Sequence, residues 1–289
     1  MSAAGLIIEE RSRDIGDFLV GRLIPFRKKR MIGPFIFIDH MGPAVLGPEK
    51  YMDVDQHPHI GLATLTYLLD GELIHEDSIG THQLLSPGAV NWMSAGSGAS
   101  HTERTPMHLR NGITSTLHGF QIWVALPQHL EDSTPVFHHV SKEQLPSWKE
   151  GEATFTLLAG SGYGKTAPLP VPTALFMIEI KNEKGFTLTV KGQLKGEIGV
   201  CIVSGSLQAC ETTIEKGHIL VSKVSDTCML DVAPNSHLLL FGGPPYAEER
   251  HIYWNFVSSS KEKIEAAKEA WKQQTFPMMP KDNSYVPLP

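Results

Sequence analysis

The sequence has few cysteines and no long apolar run, and each shortage excludes a class of protein. Only Cys201, Cys210 and Cys228 occur among 289 residues, and no two of them form a CxxC pair. Their odd number and wide spacing argue against a disulfide framework and indicate a reducing, cytoplasmic setting. No apolar run approaches the roughly 18 residues that a membrane-spanning helix needs. The first residues, MSAAGLIIEERSRD, lack a basic region followed by an apolar core, so we expect neither secretion nor membrane insertion.

An excess of basic charge is also missing. The chain has 25 basic and 31 acidic residues and a formal net charge of −6. A protein whose main task is direct nucleic-acid binding usually carries a basic surface. We therefore do not expect such binding, and we interpret the short basic run Arg27 to Arg30 as a solvated turn.

Short β-strand patterns dominate the sequence. From residue 33 to 126, runs rich in Ile, Val, Leu, Thr and Tyr, such as LATLTYLLDGEL and GFQIWVALP, alternate with Gly, Pro and Asp turn signals. This spacing is typical of a β-sandwich or β-barrel. A polar stretch at 128–151 precedes a second set of strands, and CIVSGSL with TTIEKGHILVS echoes YLLDGEL with LLSPGAVNWMSAG. We predict an all-β protein with two tandem barrels, over residues 1–135 and 136–289.

One segment near the end of the sequence has a helical pattern. Ile264, Ala267 and Trp271 recur at steps of three and four residues, and Ser258 to Ser260 supply candidate N-caps. We predict a short C-terminal helix over Lys261 to Gln274 that docks on a barrel. The proline-rich tail FPMMPKDNSYVPLP then either wraps a domain or frays.

Two short motifs place metal-ligating side chains two residues apart. In an extended strand, such residues project from the same face. His57 and His59 would therefore point together, and so would His101 and Glu103, which follow the glycine-rich stretch MSAGSGAS. Two such strands in one barrel would converge on a mononuclear metal site.

Three neutral imidazoles and one carboxylate suit a first-row divalent ion, with two further octahedral positions for water, substrate or dioxygen. Structural zinc sites, in contrast, tend to be closed and tetrahedral. The pair His57 and His59 alone is equally consistent with two unrelated strand histidines. The presence of both motifs favours the metal site.

The residues around these motifs resemble the pirin family. The resemblance lies in DQHPHIGLATLTYLLDGELIHEDSIG, PGAVNWMSAGSGASHTE and HGFQIWVALP, and it continues to the closing segment WNFVSSSKEKIEAAKEAWKQQTF. It implies two jelly-roll-like cupin barrels in tandem. It also implies that His57, His59, His101 and Glu103 hold one metal ion, first of all Fe(II), with Ni, Mn, Co, Cu or Zn as alternatives.

The resemblance implies two functions of different classes. One is a quercetin dioxygenase that opens flavonol-like aromatic substrates with dioxygen, and here Glu103 is both a ligand and the catalytic base. The other is a non-catalytic metal or redox sensor that binds transcription or metabolic proteins. Sugar-phosphate isomerases also occur among cupins, but the metal-bearing blocks contain no cluster of Arg and Lys for a phosphate.

Several other signals have less specific interpretations. Counting from matched glycines places Lys191, Gln193, Leu230 and Val232 where the second barrel would need ligands, so we predict one metal ion per chain. The run AGSGYGKT is similar to a phosphate-binding loop, but the prolines after it exclude the required helix. His75, Glu76 and Asp77 either orient the ligand imidazoles or cap a hairpin. His118 either lines the same barrel or is an ordinary core histidine.

Overall fold

The chain folds almost entirely as antiparallel strands, which confirms the predicted all-β class. The computed structural model describes residues 5–14, 19–223, 225 and 229–289. The first twelve strands are β1 (Leu6–Glu9), β2 (Arg11–Asp14), β3 (Leu19–Ile24), β4 (Phe35–Leu46), β5 (Asp53–His59), β6 (Leu62–Asp70), β7 (Leu73–Asp77), β8 (His82–Leu85), β9 (Val90–Ser94), β10 (Ala99–Arg104), β11 (Ser115–Ala125) and β12 (Val136–Val140). The others are β13 (Ser147–Glu150), β14 (Ala153–Gly162), β15 (Lys165–Thr166), β16 (Phe176–Asn182), β17 (Phe186–Thr187), β18 (Glu197–Ser204), β19 (Ser206–Ala209), β20 (Thr212–Glu215), β21 (His218–Lys223), β22 (Leu230–Val232), β23 (His237–Gly243), β24 (His251–Tyr253) and β25 (Phe256–Ser258). Helix α1 spans Lys261–Lys272, and three short 3-10 helices span Met107–Leu109, Gln128–Leu130 and Lys142–Gln144.

The first barrel combines a four-stranded and a seven-stranded sheet. The smaller sheet has the order β5-β10-β7-β8, and the larger one has the order β12-β9-β6-β11-β4-β3-β2. The Asp-Gly pair between β6 and β7 forms the predicted turn, with Gly71 at a φ of 81°. A Cβ atom on Gly71 would lie 2.2 Å from the Thr116 carbonyl oxygen, so only glycine fits there.

The second barrel repeats the strand order of the first. Its smaller sheet has the order β17-β22-β19-β20, and its larger sheet has the order β1-β21-β18-β23-β16-β14-β13, with β15 paired to β14. Strands β17 and β22 thus occupy the positions that β5 and β10 occupy in the first barrel. The internal repeat that the sequence predicts is therefore present in the strand order of the two barrels.

Apolar side chains fill the core of the second barrel where the first barrel carries its histidines. Leu230 and Val232 lie on β22 and are buried in this core, together with residues such as Phe155, Phe176 and Ile202. These two positions agree with the count from the matched glycines. The two side chains of β22 that face this core therefore offer no nitrogen or carboxylate ligand, and Asp231 between them is exposed.

The same count fails on the other strand. It predicted Lys191 and Gln193 as the counterparts of the first histidine pair, but both residues are exposed and lie beyond β17. The reason is the connection to the next strand, which spans residues 188–196 after β17 and only 60–61 after β5. Counting the same number of residues back from Gly205 as from Gly71 therefore ends in this longer connection and does not reach β17.

The compact units of the chain differ from the predicted boundary at residue 135. One unit contains residues 1–11, 21–37 and 143–246, and the other contains 12–20, 38–142 and 247–289. Strand β1 pairs with β21 of the second barrel, and α1 packs with Ile60 of the first barrel. Each terminal segment thus belongs to the barrel that lies farther away in the sequence.

The predicted helix is confirmed, and it docks on the unit that carries the first barrel. The Ser260 hydroxyl accepts a hydrogen bond from the Lys263 backbone N–H and caps α1. The apolar stripe Ile264, Ala267 and Trp271 is buried. No helix in the described part of the chain has the length and apolarity that a bilayer crossing requires.

Two local features bear on the remaining sequence signals. The AGSGYGKT run forms the hairpin β14–β15, whose turn residues Tyr163 and Gly164 both have positive φ, so a strand follows it instead of a helix.

Cys210 is disulfide-bonded, which corrects the expectation of reduced cysteines. Cys201 is a free, buried thiol, and Cys228 lies outside the described residues.

Candidate metal centre

The two predicted ligand pairs lie on neighbouring strands of the four-stranded sheet. His57 and His59 are on β5, and His101 and Glu103 are on β10. The strands run antiparallel with His57 opposite His101, and a register shift follows between His101 and Glu103. This pairing brings His57, His59 and His101 into one group, and Glu103 lies in a second group that shares His101.

Three of these residues form one compact group. One nitrogen from each of His57, His59 and His101 lies within 4.8 Å of the others. The ring centroids of His57 and His101 are 4.3 Å apart, and the Nε2 atoms of His59 and His101 are 3.1 Å apart. His59 and His101 are buried, whereas His57 is partly exposed.

Glu103 belongs to a second group that shares His101 and adds His75. Ligand atoms of His75, His101 and Glu103 lie within 4.8 Å of one another. His75 is on β7, directly opposite Glu103. The sequence had placed His75 either beside the ligands or at a hairpin cap, and the structure places it beside the ligands.

Main-chain carbonyls determine the tautomers of two histidines. The Nδ1 atom of His57 lies 2.8 Å from the Asp55 carbonyl oxygen, and that of His59 lies 3.1 Å from the Asn255 carbonyl oxygen. A carbonyl oxygen only accepts, so each Nδ1 carries the hydrogen and donates it. The Nε2 atoms of both rings therefore present bare lone pairs, which is the form that binds metals.

A carboxylate determines the tautomer of the third histidine through an intervening ring. The Nε2 atom of His75 donates to Asp77 Oδ2 at 3.1 Å, and His75 Nδ1 lies 3.2 Å from His101 Nδ1. With a neutral His75, its Nδ1 accepts from the Nδ1–H of His101, and the Nε2 of His101 is left bare. Burial alone would raise the pKa of Asp77, but hydrogen bonds from His75 and Thr81 together lower it and keep it ionised.

Burial keeps the three imidazoles neutral. It lowers the pKa of His57 to about 4 and the pKa values of His59 and His101 well below the ordinary range. Two bare nitrogens 3.1 Å apart have no hydrogen between them, and this contact is unfavourable unless a cation satisfies both lone pairs. The donor set therefore fits a borderline divalent transition-metal ion.

Glu103 is held by the sheet that faces it. The Thr66 hydroxyl lies 3.0 Å from Glu103 Oε1 and 2.8 Å from Gln121 Oε1. Burial raises the pKa of Glu103, while His75 and the Thr66 hydrogen bond lower it by less. A nearby cation would favour the ionised form, so a metal ion also fits this carboxyl group.

His118 lies outside both groups. Its Nε2 atom is 2.8 Å from His40 Nε2, and the His40 ring stacks on Phe120 at 4.5 Å. Phe120 is wholly buried. Of the two interpretations of His118, the ordinary packed histidine agrees with these contacts.

Some contacts of the site have little or no sequence signal. His59 contacts the main-chain oxygen of Asn255, and any residue type could provide that oxygen, so the sequence does not predict this contact. Thr66 lies in the middle of a buried apolar strand, where a threonine is unremarkable. His75 and Asp77 do carry a signal, because they repeat the spacing of two residues that marks the ligand pairs.

Comparison with known proteins gives a consistent result along the chain. The family model described as Pirin matches residues 18–124, and the one described as Pirin C-terminal cupin domain matches residues 176–277. A pirin-like protein of Caulobacter vibrioides is 39% identical over 288 residues, which are 98% of this chain and 99% of that protein.

Solved structures agree with the sequence comparison. The crystal structure of quercetin 2,3-dioxygenase from Acinetobacter baumannii has a TM-score of 0.88 at 30% identity, over 98% of this chain and 94% of that chain. A bacterial pirin of Escherichia coli in complex with nickel(II) has a TM-score of 0.64 at 18% identity, over 83% of this chain and 99% of that chain, and it shares the fold. Together, the two family models and the relative that is 39% identical show that the chain belongs to the pirin family and is a bicupin.

Proposed function

We propose that the chain binds one divalent transition-metal ion through His57, His59, His101 and Glu103 and opens flavonols such as quercetin with dioxygen. The observation that carries this proposal is the cluster of His57, His59 and His101, in which one nitrogen of each ring lies within 4.8 Å of the others and each Nδ1 has its own hydrogen-bond contact. The structural similarity to a quercetin 2,3-dioxygenase at 30% identity supports the reaction. Fe(II) is the first ion to test. Nickel is included because a pirin with the same fold was solved with it.

Glu103 is the residue to which we assign proton transfer. When bound, the ion would act as a Lewis acid that lowers the pKa of a substrate hydroxyl beside it. Glu103 in its ionised form accepts that proton, and the hydrogen bond from Thr66 orients its carboxylate. Burial raises the pKa of Glu103, which makes the carboxylate a stronger base than an exposed glutamate.

Aromatic side chains next to the histidines suit a flat substrate. The Trp123 ring meets the His59 ring edge to face at 5.1 Å, and the Phe137 ring lies 4.7 Å from the His75 ring. Such rings provide apolar contact area for an aromatic ligand.

A second candidate function is a metal or redox sensor. The specific observation in its favour is burial, because His59, His101 and Glu103 are 1%, 0% and 5% exposed. A change in the charge of an ion enclosed by these residues would act on the surrounding protein, and it would alter partner affinity if two conformations bind the partner differently. Dioxygen turnover would then be absent.

The two functions are separated by metal reconstitution. The protein is purified anaerobically, stripped with a chelator and reloaded in turn with iron, nickel, manganese, cobalt and copper, with elemental analysis of each sample. Quercetin loss and oxygen uptake are then measured together. We expect at least one loaded form to consume both, whereas no loss with any bound metal would contradict the dioxygenase.

Variants test the assignment of the base. We expect Glu103→Gln to lose turnover more completely than it loses metal. His129→Gln is the matched control, because this histidine is exposed on a short 3-10 helix, and it should retain both properties. Full activity in Glu103→Gln would contradict the role of Glu103.

A further inference from the structure

One segment of the chain contacts the residues that flank the proposed ligands. Gln56 precedes His57, Ser100 precedes His101 and Arg104 follows Glu103 in the sequence. Because side chains alternate along a strand, these three neighbours point away from the metal site. All three contact residues within 277–286, a segment that we call the strap.

Gln56 is the main point of attachment. Its side chain is wholly buried, and its Nε2 atom donates to the carbonyl oxygens of Asp282 and Ser284 at 3.1 and 3.2 Å. Its Oε1 atom accepts from the Met279 N–H at 2.6 Å. The Gln56 main chain donates to Ser284 Oγ at 3.0 Å and accepts from the Val286 N–H at 3.0 Å. The strap thus bonds to both the side chain and the main chain of Gln56.

The other ligand strand is attached in the same way. The Ser100 hydroxyl donates to the Pro277 carbonyl oxygen at 2.6 Å. Arg104 forms an ion pair with Asp282 and donates to Ser284 Oγ at 2.8 Å. Strands β5 and β10 are therefore both bonded to the same ten-residue range.

The strap is itself held by helix α1. The Trp271 Nε1–H donates to the Val286 carbonyl oxygen at 2.9 Å. The Tyr285 ring stacks on the Trp271 ring with centroids 4.8 Å apart and 16° between the planes. Trp271 is fully buried, so the helix provides a fixed base for the strap.

Strand β5 needs such support more than an inner strand does. It is the edge of its sheet, so its outer main-chain groups have no neighbouring strand. Its pairing with β10 is also shifted between His101 and Glu103, and such an irregularity locally disrupts the hydrogen bonds of the ladder. Hydrogen bonds from the strap supply the missing partners.

We propose that the strap is a positioning element for the metal site, with Gln56 and Ser284 as its main positioning residues. Docking of the strap holds β5 and β10 where His57, His59 and His101 converge, so strap docking and metal binding are thermodynamically linked. The inference rests on the metal binding of the proposed function. Linkage is reciprocal: a metal ion must stabilise the docked strap by the same factor by which the strap strengthens metal binding.

The first test uses substitutions of two strap residues that bond to Gln56 and Arg104. In the full chain, Asp282→Asn combined with Ser284→Ala removes the negative charge that pairs with Arg104 and the hydroxyl that accepts from the Gln56 N–H. We expect Co(II) affinity, measured by competition titration on metal-free protein, to fall about tenfold, as is typical when outer contacts of a metal site are lost. The matched control is Asn283→Ala, at an exposed position of the same segment. The conservative variant Ser284→Thr keeps the hydroxyl, so we expect it to bind Co(II) as tightly as the wild-type chain does.

A second readout separates positioning from general stabilisation. We expect the double variant to show a smaller Co(II)-induced rise in melting temperature than the wild-type chain. A merely structural role would lower the melting temperatures of the metal-free and loaded forms equally and leave the Co(II) affinity unchanged. That result would overturn the proposal.

The reciprocal effect is measured on the unmodified chain, where folding is not in question. Hydrogen exchange at the Met279 and Val286 amides reports whether the strap is docked, because both amides donate to Gln56. Co(II) should slow this exchange, and unchanged exchange in chain that binds Co(II) overturns the inference. If the wild-type chain binds no Co(II), Fe(II) or Ni(II), the proposed function itself fails, which is a different outcome.

Discussion

The Nδ1 atoms of His75 and His101 lie 3.2 Å apart, and this contact determines which nitrogen of His101 is available to a metal ion. Asp77 accepts from the far side of the His75 ring at 3.1 Å. The carboxylate therefore acts on His101 through the imidazole of His75. Asp77 and His75 therefore determine which nitrogen of His101 is available to a metal ion, although neither of them needs to bind the ion.

Asp77→Asn should weaken metal binding without unfolding the barrel. An amide can donate as well as accept, so the hydrogen on His75 is no longer confined to Nε2 and the bare Nε2 of His101 is no longer enforced. We expect the Co(II) affinity to fall by about tenfold or more, measured by competition titration. The control is Glu76→Gln, because the neighbouring Glu76 pairs with the exposed His82; an equal loss in both variants would contradict this role.

His101→Gln should abolish high-affinity metal binding, because His101 is the residue shared by both groups of ligand atoms. Elemental analysis of the wild-type chain should give a ratio near one ion per chain, and the variant should give a ratio near zero. His129→Gln should match the wild-type chain. A ratio near two in clean wild-type protein would show a second site and contradict the assignment to the first barrel.

The metal-free protein should lose stability as the pH falls from 6.5 towards 4. The pKa of His57 is about 4 in the folded chain and 6.5 ordinarily. The unfolded chain therefore binds more protons in this window, and the free energy of unfolding decreases as the pH is lowered. Glu103 acts in the opposite direction, because its pKa is raised above 4.5 on folding. As the pH is lowered, the three imidazoles decrease the free energy of unfolding and Glu103 increases it. Because three groups outweigh one, we expect a net loss of stability towards pH 4.

Urea unfolding of metal-free protein at several pH values measures this effect. The variant His57→Asn should give a shallower dependence between pH 6.5 and 4, because one of the groups with a lowered pKa is gone. An unchanged slope in this variant would show that His57 does not contribute.

Thr66→Val should move the acid limb of the activity profile to higher pH. The substitution keeps the shape of the side chain and removes the hydrogen bond that lowers the pKa of Glu103. A hydrogen bond of this kind corresponds to roughly one pH unit. The pH profile of quercetin loss measures the shift, and Thr64→Val, two residues earlier on β6 and also buried, should leave the profile in place.

Trp271→Ala should destabilise the unit that contains the first barrel. The indole is fully buried against Phe276 and Tyr285, and removal of such a side chain typically costs about 3–5 kcal/mol. The midpoint of urea unfolding should fall accordingly. Lys272→Ala, at the exposed neighbouring position, should change stability by less than about 0.5 kcal/mol.

The sequence was sufficient for features that depend on local periodicity. Alternation along a strand predicted that His57 and His59 share a face, and the steps of three and four residues predicted the buried stripe of α1. The strand order itself could not be predicted in this way, because the turn at Gly71 joins β6 of the larger sheet to β7 of the smaller sheet and therefore does not make them hydrogen-bonded neighbours.

Features that depend on distant parts of the chain could not be predicted in this way. His59 donates to the main chain of a residue 196 positions away, and no periodicity encodes a contact of that separation. The count to Lys191 and Gln193 failed because loop length is unconstrained by the strand pattern. The Cys210 disulfide was missed because an odd number of cysteines does not reveal which of them pair.

The exchange of terminal segments between the two units has a consequence for the order of synthesis. Strands β5 and β10 leave the ribosome well before residues 247–289, which belong to the same compact unit. The nascent first barrel has its histidines but lacks the Asn255 carbonyl, the helix and the strap until the whole second barrel has been translated. We therefore expect metal acquisition to follow translation, so that an ion is captured by the finished chain and not by the growing one.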